Sequence, residues 1–236
     1  MNHQYKLVAM IPARLGSKRI PKKNIRYLYD KPLIQYPIDL AKQSDAFDSI
    51  WVNTESEELG RIVEKMGVSF HRRPAELAVD TATNRDFTYE FLKQHECDYV
   101  VMVNSTSPAL RKETMDRFIE FIQENEFDTV LSVEDIQTVS YFQGEPVNFN
   151  PGEMIQSQRL EPIRGVAWAL TAWRREHFIR LQESGECPVF AGKVGLFPIP
   201  KDESVDLDNE EDWNIAEGIM EARRTRTTRE KRYIEL

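Results

Sequence analysis

The chain has 236 residues, of which 41% are hydrophobic and 30% are charged, and its formal net charge at pH 7 is −8. This length can bury a sizeable core, and we expect a single domain over residues 1–236. Because an acidic chain lacks the basic field that attracts nucleic acid or an anionic membrane, we expect neither as a partner. Any anion site must therefore be local.

Cysteine usage and hydropathy both favour the cytoplasm. The chain has two cysteines, Cys97 and Cys187, and neither belongs to a CxxC pair. We therefore expect no disulfide framework and no structural zinc site. No apolar run in the sequence is long enough for a signal peptide or a membrane span. A reducing cytoplasm is the expected compartment.

Segments typical of strands and helices alternate at short spacing over residues 6–135. Apolar runs predict strands over residues 6–13, 49–55, 68–74, 99–103 and 128–135, and helical spacing predicts helices over residues 31–47, 56–67, 85–95 and 112–127. Ser56 is expected to cap a helix, Gly67 to end it, and Pro37 to mark a kink or a late start. The alternation predicts an α/β fold with a mostly parallel, Rossmann-like sheet and helices on both faces.

Residues 137–165, the inserted segment, differ in composition, because Gly, Pro, Gln and Asn are scattered through them. We predict an irregular or β-rich excursion from the sheet. The alternating pattern then resumes with strands over residues 166–173 and 193–200 and helices over residues 174–185 and 210–236. Trp168 and Trp173, on the first of these strands, are expected in the core.

Residues 13–24, "ARLGSKRIPKKN", form a basic loop directly after the first strand. Backbone N–H groups near a glycine can hold phosphate oxygens while lysine and arginine neutralise their charge. The loop is neither a GxxxxGK[ST] nor a GxGxxG motif, so phosphate binding competes with the simpler interpretation of a solvated basic loop. Arg19 and Lys22 are interpreted as solvated.

The sequence "VDLD" places Asp206 and Asp208 two residues apart. On a strand this spacing puts both carboxylates on one face, where a Mg²⁺ ion would offset their repulsion. The alternative is an acidic turn in which Asp208 or Asn209 caps the following helix. Since ligands of open α/β sheets bind beyond the carboxyl ends of the strands, we expect the basic loop, "NSTSP" (residues 104–108) and "SVDLDNEED" (residues 204–212) to converge.

Five ordered motifs together resemble one family. They are "IPARLGSKRIPKKNI", "KPLIQYPI", "HRRPAELAVDTA", "NSTSP" followed by Arg111, and "SVDLDNEEDWNIAE", and they span about residues 6–217. This pattern resembles the CMP-sugar synthetases, the acylneuraminate cytidylyltransferases. The chain departs from it at Leu15, where the family often has glycine, at Asn104 and Ser105, where it has Gln-Pro, and at Ala109, which is one extra residue.

The resemblance implies a Mg²⁺-dependent or Mn²⁺-dependent transfer of CMP from CTP to an acidic 2-keto-3-deoxy sugar, with release of pyrophosphate. It implies a nucleotidyltransferase sheet and a homodimer to which the inserted segment contributes. The implied nucleotide-binding residues are Arg14, Ser17, Lys18 and Lys23 at the phosphates, Asn24 at the nucleotide, Arg73 at cytosine, and Asn84 near the base and ribose.

For the remaining parts of the site, the resemblance implies residues from the second half of the chain. The sugar-binding residues would be Asn104, Gln158, Arg159 and Arg164, and the metal ligands Asp206 and Asp208. The catalytic set would be Arg14, Lys18, Lys23 and Asp208. Two alternatives stay open: a nucleotidyltransferase with another nucleotide or acceptor, and a non-catalytic protein that binds CTP or a nucleotide sugar.

Overall fold

The computed structural model describes residues 5–225 and contains eleven strands and six α-helices within that range. The strands are β1 Leu7–Pro12, β2 Tyr27–Leu28, β3 Lys31–Pro32, β4 Ser49–Thr54, β5 Ser69–Arg72, β6 Tyr99–Val103, β7 Thr129–Ile136, β8 Tyr141–Phe142, β9 Glu145–Pro146, β10 Ile163–Arg174 and β11 Val194–Pro198. The helices are α1 Gln35–Gln43, α2 Glu57–Lys65, α3 Asn84–Gln94, α4 Lys112–Gln123, α5 Arg175–Glu183 and α6 Glu210–Thr225.

Seven strands form the central sheet, in the order β11-β7-β10-β6-β1-β4-β5. All neighbouring pairs are parallel except those of β10, which runs antiparallel to both β6 and β7. The predicted mostly parallel, Rossmann-like sheet is confirmed. The chain moves from β1 outward to β4 and β5 and then returns to the other side of β1 with β6, so the strand order reverses between β1 and β6.

The two faces of the sheet carry separate hydrophobic cores, because successive strand residues point to opposite faces. Leu7, Ala9 and Ile11 of β1 pack with α1, α2 and α4 on one face. Val8 and Met10 of the same strand pack with α3 and α5 on the other face. Helices therefore cover both faces, as the alternating sequence pattern predicts.

Local boundary signals in the first half of the chain are mostly confirmed. Ser56 accepts a hydrogen bond from the N–H of Leu59 and caps α2, and Gly67 follows that helix with a φ of 79°. The helix predicted over residues 31–47 is shorter, because Lys31 and Pro32 belong to β3. Pro37 lies in the first turn of α1, where proline costs no helical hydrogen bond, so it marks a late start.

The inserted segment contains a short hairpin of β8 and β9 and contributes no strand to the central sheet before Ile163. β10 begins at Ile163 instead of the predicted residue 166, because its first residues pair with the end of β7. Several large apolar side chains of the segment are exposed: Val139, Tyr141, Phe142, Val147, Met154 and Ile155. The expected single domain and the role of this segment in a dimer stay predictions.

A third hydrophobic cluster joins the two ends of the chain. Ile20 of the basic loop is fully buried against Leu207 and Trp213, together with Leu28 and Leu33. The cluster places the basic loop beside the "VDLD" segment. Within residues 5–225, no helix is both long and apolar enough to cross a membrane, and Cys97 and Cys187 are not bonded to each other.

Candidate active site

A cleft of about 450 Å³ opens at the carboxyl ends of β1 and β6, where the strand order reverses. This is the position at which open α/β sheets bind ligands, and the volume is in the range of small-molecule sites. It brings together nine of the predicted site residues: Arg14, Ser17, Lys18, Lys23, Asn24, Arg73, Asn84, Asn104 and Asp208. The other predicted residues, Asp206, Gln158, Arg159 and Arg164, are not part of its lining.

Two hydrogen bonds fix the basic loop near its two ends. The N–H of Leu15 donates to Glu55 Oε1 at 2.9 Å, and Asn24 Nδ2 donates to the carbonyl oxygen of Arg14, also at 2.9 Å. A Cβ atom at Gly16 would meet no atom within 4 Å, so the loop is open at that residue. The loop is therefore fixed by hydrogen bonds and has open space beside Gly16. This favours the phosphate-binding interpretation over a freely solvated loop.

Two acidic residues pair with the cations of the cleft. Asp80 forms ion pairs with Arg14 and Lys18, each at 2.7 Å, and Asp208 pairs with Arg19 at 2.8 Å. The pairs with Lys18 and Arg19 are solvent-exposed, so they contribute little to folding stability. The Arg19 side chain is 69% exposed, in agreement with its interpretation as solvated, but it also lines the cleft.

Lys23 connects the basic loop to the "VDLD" segment. Its Nζ donates to the carbonyl oxygen of Leu207 at 2.6 Å. Burial lowers the pKa of Lys23, while the charges of Asp206 and Asp208 act in the opposite direction. The ammonium group thus lies between the loop and the acidic pair, within reach of a ligand that enters the cleft.

The "VDLD" segment is not a strand, but its backbone is fixed. The N–H of Leu207 donates to the carbonyl oxygen of Thr106 at 2.9 Å, which ties the segment to the polar turn after β6. Asn209 Oδ1 accepts a hydrogen bond from the N–H of Asp212 at 3.0 Å, and Asp212 Oδ2 accepts one from the N–H of Asn209, also at 3.0 Å. Because this reciprocal cap uses Asn209, the carboxylate of Asp208 is free of capping and lines the cleft.

Asp206 is mostly buried and, unlike Asp208, does not line the cleft. Burial raises the pKa of its carboxyl group, and its Oδ1 has no hydrogen-bond partner in the described part of the chain. A buried carboxylate oxygen without a donor is suited to a bound cation. Residues 5–225 contain no group of three or more His, Cys, Asp or Glu that could hold a metal ion, so a cation held by this pair would need its other ligands from phosphates and water.

Arg73 follows β5 and forms one wall of the cleft, although only 4% of it is exposed. Its Nε donates to Asn53 Oδ1 at 2.7 Å, and its Nη2 donates to the Asn53 carbonyl oxygen at 2.9 Å. The guanidinium lies 4.2 Å from the ring centroid of Phe87. Burial lowers its pKa to about 10, so the group is protonated at neutral pH and is fixed in one orientation.

Three amide side chains complete the polar lining. Asn24 is 3% exposed, and its Oδ1 has no hydrogen-bond partner among residues 5–225, which makes it an acceptor available to a ligand hydroxyl. Asn84 is the first residue of α3, whose start is fixed by a bond from the N–H of Thr83 to Asp86 at 2.9 Å. Asn104 follows β6 and donates its N–H to the carbonyl oxygen of Ala169.

A second cavity, of about 490 Å³, adjoins the cleft and shares Asn84 with it. Its walls include Trp168, Val189 and Phe190, and the two aromatic rings meet edge to face at 5.6 Å. Trp168 has a φ of 57° and lies where the register of β10 against β7 shifts. Trp168 is partly buried and packs against the core cluster on the face covered by α3 and α5, and it also forms part of the cavity wall. Trp173 is fully buried, as expected.

The predicted sugar-binding residues of the inserted segment lie outside both cavities. The carbonyl oxygen of Gln158 accepts a bond from Gln137 at 3.2 Å, Arg159 is exposed, and Arg164 pairs with Asp135 at 3.4 Å. The structure therefore does not bring them to the cleft of their own chain.

The sequence reasoning missed several residues of the two cavities. Asp80 lies within a quoted motif without an assigned role, and Phe87 and Phe190 were not singled out. Asn53, which holds Arg73, lies in β4 directly after the buried Val52, and Glu55, which holds the basic loop, comes just after the end of that strand. A polar residue inside an apolar strand, such as Asn53, is the signal that could have drawn attention to them.

Comparison with known proteins identifies the family. A family model described as cytidylyltransferase matches residues 8–225. The chain belongs to the cytidylyltransferase family. The resemblance to the CMP-sugar synthetases is thereby confirmed at the level of the family.

Curated relatives of this cytidylyltransferase share about three residues in ten with it. It is 30% identical to N-acylneuraminate cytidylyltransferase A of Danio rerio over 89% of its own length and 49% of that protein. It is 28% identical to the N-acylneuraminate cytidylyltransferase of Escherichia coli O18:K1:H7, over 92% and 52%. The chain thus spans about half the length of these relatives, but it covers 94% of the post-translational flagellin modification protein B of Campylobacter coli, at 27% identity.

Solved structures support the fold assignment of this cytidylyltransferase. A CMP:2-keto-3-deoxy-manno-octonic acid synthetase in complex with CTP superposes with a TM-score of 0.69 at 17% identity, covering 92% of this chain and 99% of that one. The 4-diphosphocytidyl-2C-methyl-D-erythritol synthase of Anaerococcus prevotii superposes with a TM-score of 0.67 at 13% identity, over 92% and 98%. At these identities the likeness concerns the fold alone.

Proposed function

We propose that the protein transfers CMP from CTP to an acidic 2-keto-3-deoxy sugar of the nonulosonic acid type and releases pyrophosphate. The observation that carries this proposal is the cleft between β1 and β6, in which a tethered loop of cations faces the Asp206–Asp208 pair. Such a cleft matches a triphosphate with a divalent cation, because the cations bind phosphate oxygens and the carboxylates bind the metal.

In this proposal Arg73 and Asn24 bind the nucleoside. The Arg73 guanidinium uses Nε and Nη2 to bond Asn53, which leaves Nη1 to donate to a carbonyl oxygen of the pyrimidine. Asn24 Oδ1 is the acceptor for a ribose hydroxyl, and Asn84 contacts the base and ribose from the start of α3. Fixed donors of this kind discriminate between bases because a wrong base leaves them unpaired.

The cations of the basic loop bind the phosphates. Arg14, Lys18 and Lys23, with Ser17, hold the β- and γ-phosphates and stabilise the negative charge that develops on pyrophosphate as it leaves. The anomeric hydroxyl oxygen of the sugar attacks the α-phosphorus, the bond from that phosphorus to the bridging oxygen of the β-phosphate breaks, and the hydroxyl proton passes to solvent. The protein's contribution is to align the two reactants.

The Asp206–Asp208 pair is the proposed site for Mg²⁺ or Mn²⁺. Bound there, the ion would offset charge on the α-phosphate and help the attacking hydroxyl to lose its proton. Asp208 lines the cleft, and Asp206 has a buried Oδ1 with no hydrogen-bond partner in the described part of the chain. Lys23 and Arg19 offset the repulsion between the two carboxylates when the cleft holds no nucleotide.

The acceptor sugar occupies the second cavity in this proposal. Asn104 contacts the acid at the boundary with the cleft, and Trp168 and Phe190 cover the less polar part of the sugar. The cavity shares Asn84 with the cleft, so a sugar bound there would lie beside the bound nucleotide. The sugar contacts of Gln158, Arg159 and Arg164 stay predictions of the resemblance.

We also propose that the protein is a homodimer whose interface includes the inserted segment. The support is the group of exposed apolar residues on that segment, among which Phe142 is 68% exposed and Tyr141 is 62% exposed. Light scattering after size exclusion should give twice the monomer mass, and Phe142→Glu should reduce it. A monomeric wild type would contradict this assignment. The cytoplasmic location also stays a proposal.

The activity is tested by pyrophosphate release. Purified protein is incubated with Mg²⁺, each of the four ribonucleoside triphosphates, and a panel of eight-carbon and nine-carbon keto sugar acids. We expect release with CTP and at least one nine-carbon acid. Release with another nucleotide or with a different acidic acceptor would show a different nucleotidyltransferase. CTP binding without release for any acceptor would show a non-catalytic binding protein.

A further inference from the structure

Asp80 places a carboxylate at the centre of the proposed phosphate site. Its Oδ1 is 2.7 Å from Arg14 Nη1, and its Oδ2 is 2.7 Å from Lys18 Nζ. Both cations belong to the basic loop, whereas Asp80 comes from the segment between β5 and α3. One carboxylate thus bridges the two cations with both oxygens, in the way that two oxygens of a phosphate would.

The bridge is exposed on the side where a ligand enters. The side chain of Asp80 is 45% exposed and that of Lys18 is 82% exposed, and both residues line the cleft. Hydrogen bonds from Lys18 and Arg14 lower the pKa of Asp80, so the carboxylate is ionised at neutral pH. Exposed ion pairs are weak, and a ligand with several negative charges can replace this one.

Arg14 and Lys18 would have to share their positive charge and their N–H donors between Asp80 and a bound triphosphate. Arg14 Nη1 already donates to Asp80 and approaches the carbonyl oxygen of Ala78 at 3.4 Å. A triphosphate in the cleft would also bring its own negative charge next to the Asp80 carboxylate. This repulsion raises the free energy of any complex in which Asp80 stays in place.

We propose that Asp80 is a further residue of the phosphate site, an internal anion that the triphosphate of the nucleotide replaces and that returns to Arg14 and Lys18 when pyrophosphate leaves. Asp80 therefore lowers the affinity for both CTP and pyrophosphate. The benefit is faster release of a product whose charge would otherwise hold it tightly on the basic loop. This inference rests on the proposed function for the identity of its ligands.

The test compares Asp80→Asn with the wild type in direct binding experiments without acceptor. The variant keeps the size of the side chain and removes its charge. We expect it to bind CTP and inorganic pyrophosphate about three- to tenfold more tightly, the scale of one or two exposed ion pairs. Cytidine, which has no phosphate, should bind both proteins equally. The gain should shrink as salt concentration rises, because the pair is exposed.

Asp116→Asn is the matched control. Asp116 also pairs with a lysine, Lys112, but on the outer side of α4 and outside the cleft. It changes the net charge of the protein by the same amount, so any gain in pyrophosphate affinity that it shows measures the long-range effect of charge alone. Asp80→Glu, which keeps a carboxylate, should restore affinities close to those of the wild type.

Product inhibition gives a second readout in the active enzyme. Pyrophosphate should inhibit Asp80→Asn at concentrations about three- to tenfold lower than those that inhibit the wild type. If Asp80→Asn binds CTP and pyrophosphate no more tightly than the wild type, or more weakly, the carboxylate organises the cations and the inference is wrong.

The inference and the proposed function fail in different ways. If the wild type does not bind CTP but Asp80→Asn still gains affinity for pyrophosphate, the proposed function is wrong and the role of Asp80 stands. If the wild type binds CTP and releases pyrophosphate, and Asp80→Asn gains nothing, the proposed function stands and the role of Asp80 falls. Binding of neither ligand to either protein contradicts both.

Discussion

The cleft and the second cavity meet at Asn84 but are built from different chemistry. In the cleft, charged and amide groups such as Arg73, Lys23 and Asn24 are each held by a specific hydrogen bond. In the second cavity, Trp168, Val189 and Phe190 form an apolar wall. Each polar side chain of the cleft requires a hydrogen-bond partner at a defined position, whereas many different apolar side chains could form the wall of the second cavity.

This difference explains why the family resemblance is strong on one side of the site and weak on the other. A guanidinium or a carboxylate that binds phosphate or metal has few substitutes, so "ARLGSK" and "VDLD" are recognisable as motifs. An apolar wall can exchange residues at small cost when volume is kept. The residues proposed to contact the acceptor are therefore harder to predict from a motif than those proposed to contact the nucleotide.

The largest effect should come from the metal side of the cleft. We expect Asp208→Ala to lower kcat/KM about a thousandfold, ~4 kcal/mol of transition-state stabilisation, because it removes a ligand of the cation. Initial rates of pyrophosphate release at several Mg²⁺ concentrations measure this. The control is Glu210→Ala. Glu210 lies two residues after Asp208 and pairs with Arg26, and this variant should keep most of the activity. Full Mg²⁺-dependent activity in Asp208→Ala would disprove the metal assignment.

The next effect should come from the basic loop. Lys18→Ala should cost ~2–4 kcal/mol of transition-state stabilisation, the scale of losing one key electrostatic donor. The same assay at saturating Mg²⁺ measures it, with Lys22→Ala as the control, since Lys22 is exposed on the same loop and does not line the cleft. A loss smaller than threefold would remove Lys18 from the catalytic set.

A smaller and more selective effect is expected in the second cavity. Trp168→Ala should raise the KM of the acceptor about tenfold, because an apolar wall of the bound sugar is lost, and should leave CTP affinity unchanged. Tyr27→Ala removes another partly exposed aromatic ring, 64% exposed and away from both cavities, and should change neither value. Equal losses in CTP and acceptor affinity would show that the two cavities are not separate sites.

The smallest effect is expected just beyond the far end of α3, the helix whose first residue separates the cavities. His95 stacks on Phe91 at 4.0 Å and bonds His71 at 3.0 Å, and His71 bonds Glu90 at 2.7 Å. Burial lowers the pKa of His95 to about 4. Between about pH 6.5, the ordinary histidine pKa, and about pH 4, His95 therefore binds a proton in the unfolded chain but not in the folded protein. The free energy of unfolding falls as the pH drops through this range.

Thermal melts at intervals from pH 7 to pH 4 test this expectation. His95→Gln, which does not titrate in this window and keeps a hydrogen-bond donor, should lose about 2–4 °C less in Tm than the wild type over the same range. The difference between the two proteins removes the contribution of carboxylates common to both. Parallel pH profiles of wild type and variant would contradict the burial effect.

The sequence allowed the parallel half of the fold to be predicted, because β1, β4, β5 and β6 are short apolar runs separated by amphipathic helices. It did not allow the orientation of β10 to be predicted, since the pairing of a strand depends on neighbours that are distant in the chain. The register shift that contains Trp168 is a property of that pairing, and a local pattern contains no sign of it.

For the site, the motifs predicted the position of the cleft but not its internal pairing. Arg14 and Lys18 were expected at phosphates, and the structure shows them bonded to Asp80. The i, i+2 spacing of Asp206 and Asp208 suggested equivalent side chains on a strand. In the "VDLD" segment, which is irregular, the Asp208 carboxylate lines the cleft and the Asp206 carboxylate is mostly buried. Such asymmetry depends on the tertiary contact of Leu207 with Thr106.

The ion pair of Arg19 with Asp208 joins residues that are 189 positions apart in the chain, and Lys23 and Leu207 are 184 apart. Contacts of such high sequence separation close long loops, and the entropy of loop closure opposes their formation. On the ribosome, the basic loop emerges long before its acidic counterpart. The cleft is therefore completed only after Leu207 and Asp208 have been synthesised, and a chain that ends before Leu207 has the basic loop without the acidic segment that faces it.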